Sequence, residues 1–261
     1  MEHILSLSYG KDSMAALGAI EHLGWPLDRI VTADVWATDT IPADLPSMVE
    51  WKAEADARIK ARWGIPVEHI RGCYTAEDLI YRKRVKGKRI GQIMGWPMTK
   101  GQKHGCELQR YCKVRPIAQG LRGGVTYLGI AADEKDRIKS HIDRPNAKLP
   151  LVAMNWEEEY CGLWSKYSGL LAPTYTTETR GGCWFCPNQS VGQLRRLRKN
   201  HPDLWALMLK WDADSPVPFH PDGHSVRDFE CRFDLEDQKL IFADERFRWK
   251  MLKQELNYRI F

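Results

Sequence analysis

Residues 4–17 read Ile-Leu-Ser-Leu-Ser-Tyr-Gly-Lys-Asp-Ser-Met-Ala-Ala-Leu: a short apolar run, a small polar turn, and the opening of a helix. No other stretch restricts the fold as much. A strand feeding a helix through so tight a turn is the first half of a βα unit. The turn offers unpaired N–H groups and the positive end of a helix dipole to an anion. Gly10 permits close backbone approach, Ser8 and Ser13 add hydroxyl donors, and Lys11 adds a charge. Asp12 is placed to orient the loop or to hold Mg²⁺. The spacing is neither G-x-x-x-x-G-K-[ST] nor G-x-G-x-x-G, so neither a Walker A loop nor a dinucleotide fingerprint is present. The plainer alternative is a serine-capped helix start after a buried strand.

The alternation continues. Strands are expected over 3–8, 29–36, 67–70 and 124–131, the last a glycine-flanked apolar run. Helices are expected over 12–23, stopped by Gly24 and Pro26, over 46–63, ending at Gly64, and over 107–121. Such an order implies an α/β fold with a doubly wound, mostly parallel sheet. Its ligand would lie at the carboxyl ends of the strands near the switch point. After Pro150 the pattern turns helical. Asn155 and Glu158 have capping-box spacing for a helix ending near Gly169, and further helices are expected over 189–199, 202–211 and 236–257. We read 1–150 as a nucleotide-binding α/β domain and 151–261 as a helical C-terminal region packed on it.

The chain has 261 residues, of which 43% are hydrophobic and 28% charged, ample for a core. No run approaches the roughly 18 apolar residues of a membrane span, and no secretory leader is legible, so a cytoplasmic protein with no membrane partner is expected. Net charge is +5, concentrated in places. Segment 81–90 holds six Lys or Arg, and Arg195, Arg196, Arg198 and Lys199 form a second group. Such runs are most often solvated faces; the other reading is a phosphate-binding rim, with 81–90 facing a nucleic acid. A homodimer is compatible with this composition.

Seven cysteines in an intracellular chain are free thiols, metal ligands or catalytic groups. Cys183 and Cys186 form a C-x-x-C, and Cys106 and Cys112 a C-x₅-C upstream. Four thiolates from two segments suit a tetrahedral Zn²⁺ or a [4Fe–4S] cluster; a redox dithiol competes. Cys73 and Cys161 are expected to pack in the core.

These segments together resemble a known family. Ser8–Ser13 is similar to the S-x-G-x-D-S pyrophosphate loop (PP-loop) of the adenine-nucleotide α-hydrolase superfamily, whose members bind ATP or an adenylyl compound. Tyr111 to Pro116, YCKVRP, resembles the C-x-x-x-x-K-x-x-P region of phosphoadenosine-phosphosulfate (PAPS) reductases, and Gly129 to Arg137 their G-x-R-x-x-E-S-x-x-R segment. Arg180 to Ser190, RGGCWFCPNQS, looks like the cysteine motif of iron–sulfur members. The resemblance covers residues 1 to about 210. It implies a bound adenine nucleotide with Mg²⁺ and, through Cys106, Cys112, Cys183 and Cys186, a [4Fe–4S] cluster. Lys11, Asp12, Lys113 and Arg137 are the candidate catalytic residues. Ser8, Tyr9, Gly10, Ser13, Asp34, Asp39, Gly129, Glu134 and Arg180 are the candidates for holding nucleotide or substrate, with Glu134 orienting Arg137.

The departures bear on the reaction. The reductases carry loops like S-F-G-A-E-D, whereas Ser-Tyr-Gly-Lys-Asp-Ser is closer to members that cleave ATP, including the small subunit of sulfate adenylyltransferase. Reductases of the iron–sulfur type have adjacent cysteines where Cys106 and Cys112 stand six apart, and they end in E-C-G-[LI]-H, of which only Glu230-Cys231 is an echo. The expected activity is cleavage of ATP between its α and β phosphates to activate a substrate for sulfur transfer. The alternatives are a PAPS or adenosine-phosphosulfate reductase using Cys231, and a non-catalytic nucleotide- or nucleic-acid-binding accessory of a mobile element or defence system.

Overall fold

The computed structural model describes residues 1–96, 106–177, 181–243, 247 and 249. The chain divides into two compact units, Met1–Thr75 with Leu108–Trp184, and Ala76–Glu107 with Phe185–Phe261.

The first unit is built on five parallel strands: β1 (His3–Ser6), β2 (Arg29–Asp34), β3 (Val67–Arg71), β4 (Val125–Leu128) and β5 (Ala147–Lys148). Their order is β3-β2-β1-β4-β5. The chain therefore leaves β1 in one direction and later returns to its other edge, with Leu5 opposite both Ile30 and Tyr127. The fold is α/β with an all-parallel sheet. Parallel strands need long crossovers, and helices supply them.

Helix α1 (Lys11–Leu23) begins at the carboxyl end of β1 and ends where Gly24 takes the left-handed conformation, which a residue without Cβ adopts at no steric cost. Met14, Leu17 and Ile20 on α1 are essentially inaccessible, each worth roughly 1.5–3 kcal/mol of burial. Helix α2 (Pro46–Trp63) ends the same way at Gly64. A six-residue α3 (Ala76–Tyr81) belongs to the second unit. The expected helix over 107–121 is present in two geometries, a π-helical stretch (Gln109–Val114) running into α4 (Arg115–Gly120). Short helices α5 (Lys135–Lys139) and α6 (Pro150–Ala153) precede α7 (Glu158–Tyr167), and α8 is Thr174–Thr177. Helix α7 lies against α1 so closely that a Cβ on Gly18 would fall 2.2 Å from the Trp164 ring.

The expected capping box at Asn155 is not formed. Asn155 sits at φ +53 outside the helix, the N-cap is Glu157, and the Glu158 N–H is satisfied by Asp133 Oδ1 at 3.1 Å. A carboxylate distant in sequence does the work assigned to a local one.

In the second unit, α9 (Val191–Asn200), α10 (Pro202–Asp214) and α11 (Val226–Asp237) bury Trp205, Met208, Trp211, Phe229 and Phe233. Helices α9 and α11 carry capping boxes, Ser190 with Gln193 and Ser225 with Asp228. Of the expected helix over 236–257, Glu236 and Asp237 are the end of α11 and Lys239 breaks it at φ +59; most of 244–257 lies outside the described residues. Two of the four cations of the basic group on α9 are neutralised. Arg195 pairs with Glu236, and Arg198 with Glu230, Asp234 and Asp237. No helix among the described residues is long and apolar enough to cross a membrane.

Candidate functional site

A cleft of about 370 Å³ opens in the first unit at the carboxyl ends of β1 and β2. Its floor is Ser6 to Gly10 with Thr32, Ala33 and Val35, and its walls include Lys52, Lys113 and Tyr175. This is the edge at which strand order reverses, where open parallel sheets bind ligands. The volume is in the range of small-molecule sites.

The turn is internally fixed. Ser13, 5% exposed, accepts from the Ser8 N–H at 3.2 Å and from Ser8 Oγ at 3.0 Å, and donates to Gly10 O at 3.0 Å. Gly10 has φ −76, so its backbone is ordinary; the left-handed residue is Tyr9, at φ +59. A non-glycine residue there is strained and persists only when its surroundings hold it. Tyr9 is held. It is 3% exposed, and its hydroxyl donates to Asp56 Oδ1 at 2.6 Å.

Asp56 is the start of a chain that sequence reading missed. Asp56 Oδ2 lies 3.0 Å from His69 Nε2, and His69 Nδ1 lies 2.9 Å from Asp34 Oδ2. His69 on β3 thus ties α2, β2 and the turn together. Hydrogen bonds to Asp34 and Asp56 outweigh burial and lift His69 to about 9. Burial alone would raise the Asp34 carboxyl, but His69 holds it below the usual range. Burial and the Asp56 partner push the Tyr9 hydroxyl far up, so it stays protonated.

A histidine raised from 6.5 to about 9 binds its proton more tightly folded than unfolded. Its contribution to stability is whole below about pH 6.5 and is lost as pH rises through about 9. The thermal midpoint of wild type is expected to fall across that window, and His69→Gln to flatten the fall. Parallel pH–melting curves for the two proteins would sink this account.

Lys52 and Lys113 are the cations of the cleft. Lys52 pairs with Asp44 and stands 4.8 Å over the Tyr9 ring; Lys113 is exposed on the π-helical stretch. Lys11 turns away from the cleft, its Nζ 2.6 Å from Asp12 and 3.1 Å from Glu158. Burial would lower Lys11, but these partners raise it. Burial raises the Asp12 carboxyl against the pull of Lys11. The Lys11 backbone N–H donates to the Tyr175 hydroxyl at 3.1 Å.

The remaining candidates are dispersed. Ser8, Tyr9, Gly10 and Lys113 line the cleft; Asp34 stands behind it against His69. Asp39 is exposed and faces Arg71. Gly129 packs beneath the first turn of α1. Glu134 accepts from the Ala131 N–H at 3.1 Å and pairs with Arg137, whose side chain is exposed. Arg180 lies outside the described residues.

Among the cysteines, Cys183 lines the cleft and Cys112 is buried, its Sγ donating to Tyr74 O at 2.9 Å; both belong to the first unit, Cys106 and Cys186 to the second. Among the described residues no three His, Cys, Asp or Glu side chains are grouped to hold a metal. Cys161 is core, its thiol pushed up to about 12 by burial, whereas Cys73 is exposed rather than packed. Cys73 follows Gly72, where β3 has ended and the chain turns outward to Tyr74. Burial, with Asp234, Asp228 and Glu230 nearby, raises the Cys231 thiol, the opposite of what activates a nucleophile.

No protein-family model matches the chain, and no curated protein is significantly similar to it.

Proposed function

We propose that the first unit is a doubly wound, adenine-nucleotide α-hydrolase-like domain that binds ATP in the cleft and directs an acceptor oxygen at its α-phosphorus. The O–Pα bond forms, the Pα–O–Pβ bond breaks, and pyrophosphate leaves. The observation carrying this reading is the coincidence of three things at one strand edge: a pre-held polar turn, the start of a 13-residue helix, and two lysines in a cleft of ligand size. Ser8 and the turn would hold the pyrophosphate, and Lys113 and Lys52 would offset its charge. This is catalysis by placement and electrostatics. Asp12 and Asp44 are engaged by lysines, so Mg²⁺ would be carried chiefly by phosphate oxygens. No step runs through the four cysteines; sulfur transfer to the activated acceptor is the downstream reaction that the resemblance implies.

ATP and its non-hydrolysable α,β-methylene analogue should both bind in titration calorimetry. Lys113→Ala should weaken that binding by roughly tenfold, the order of one charge-assisted contact, and with an acceptor present pyrophosphate should be released from ATP and not from the analogue. Binding without release in the presence of candidate acceptors favours the accessory reading. Absence of binding by either nucleotide overturns the proposal. The raised Cys231 thiol sets the reductase reading behind both.

A further inference from the structure

Residues 81–96, in the second unit, form an antiparallel ribbon. The Arg84 N–H donates to Gln92 O at 2.8 Å, Gly91 N–H to Arg84 O at 2.9 Å, and Met94 N–H to Arg82 O at 2.8 Å, with Lys83 opposite Ile93. The turn closes through the Ile90 N–H to Gly87 O at 3.3 Å, with Gly87 at φ +85. Its root is fixed. Trp96 is 1% exposed, donates from Nε1 to Asp212 at 3.1 Å, and packs 4.9 Å from the Phe219 ring. Beside it the Tyr81 hydroxyl donates to Asp214 at 2.6 Å.

The ribbon carries Lys83 and, at its tip, Lys86, Lys88 and Arg89, all exposed. Arg82 is neutralised by Glu107, but among the described residues these four meet no carboxylate. The sequence has no Asp or Glu between Asp78 and Glu107. On α9 of the same unit the fold treats the same residue types in the opposite way, setting acids against Arg195 and Arg198. A rigidly rooted ribbon that keeps like charges together without counter-charge loses stability to repulsion, unless a polyanion supplies it. A two-stranded ribbon also matches the width of a DNA major groove. Lys86, Lys88 and Arg89 lead at the turn, with exposed Val85 and Ile90 flanking them; a tip that enters a membrane would put its apolar residues first.

We propose that this ribbon binds the phosphate backbone of duplex nucleic acid. The inference is independent of the nucleotide cleft. Fluorescence anisotropy on a labelled DNA duplex, from about 50 to 200 mM salt, tests it. Wild type should show affinity falling linearly on logarithmic axes. K86Q/K88Q/R89Q should lower that slope by about two to three units and weaken binding by more than about tenfold at the lowest salt. K86R/K88R should keep both, and circular-dichroism melting should show each variant folded, with the glutamine variant's midpoint no lower than that of wild type once like-charge repulsion is relieved. Equal affinity and slope in wild type and the glutamine variant overturns the proposal. So does tighter binding to phosphatidylglycerol vesicles than to the duplex.

Discussion

Gly129→Ala is expected to lower the thermal midpoint of the protein by roughly 6–12 °C and to abolish nucleotide binding. A Cβ at Gly129 would stand 2.6 Å from Ser13 Cα, 2.7 Å from Ser13 N and 2.8 Å from Asp12 O. All three are backbone atoms, so no side chain can swing aside. The first turn of α1 must lift from the end of β4, carrying the Ser8–Ser13 hydrogen bonds with it. Overpacking of this kind costs about 3 kcal/mol, and each kcal/mol moves the midpoint of a chain this size by about 2–4 °C. Gly162→Ala is the control. It lies inside α7, its Cβ would meet nothing nearer than Lys11 Cδ at 3.7 Å, and removing a helical glycine should stabilise by roughly 0.5–1 kcal/mol. Differential scanning calorimetry reads both; a Gly129→Ala midpoint within a degree of wild type would show that the contact is not as close as described.

Tyr9→Phe should raise the dissociation constant for ATP about tenfold. The substitution removes one oxygen and keeps the ring that packs at 6.1 Å from Trp51 and beneath Lys52. What disappears is the 2.6 Å bond to Asp56, worth roughly 1.5–3 kcal/mol with a charged acceptor. Without it and the 3.3 Å contact to His69 Nε2, ring packing alone holds residue 9 in the left-handed region, and relaxation toward extended backbone re-aims both Ser8 and Gly10. Asp56→Asn keeps an acceptor and should fall between wild type and Tyr9→Phe. Titration calorimetry at fixed salt gives the three constants, and an unchanged constant for Tyr9→Phe would leave the tyrosine a packing residue only.

The first half of the fold was legible because its boundaries are chemical. Gly24 and Gly64 end α1 and α2 in the conformation glycine favours, and Pro46 opens α2 where its missing N–H has no cost. The two-residue β5 carries too little pattern to be read. Helix α11 did leave a signal in Ser225-Val-Arg-Asp228, a capping-box spacing, but its many charges hide the apolar stripe. Asn155 misled for the converse reason, since a local spacing was present and a distant carboxylate took the role.

At the site, the turn was legible and its supports were not. Tyr9, Asp34, Asp56 and His69 are scattered over 61 positions of sequence. They meet only because β2 and β3 pair in parallel with Thr32 beside His69, which puts Asp34 and His69 on one face of the sheet. Lys52 sits in the middle of an amphipathic helix, where a lysine announces nothing.

The hydroxyl of Tyr175 rests on the Lys11 N–H, the donor that an anion at this helix start would seek. That donor already has a partner in Tyr175, so a phosphate at this helix start would exchange partners rather than gain one. The free energy it realises is the difference between two hydrogen bonds, one to a neutral phenol and one to a charged oxygen. A neutral ligand oxygen gains almost nothing by that exchange, while a doubly charged one gains most. A weak acceptor in that place would therefore make the helix start discriminate ligands by charge.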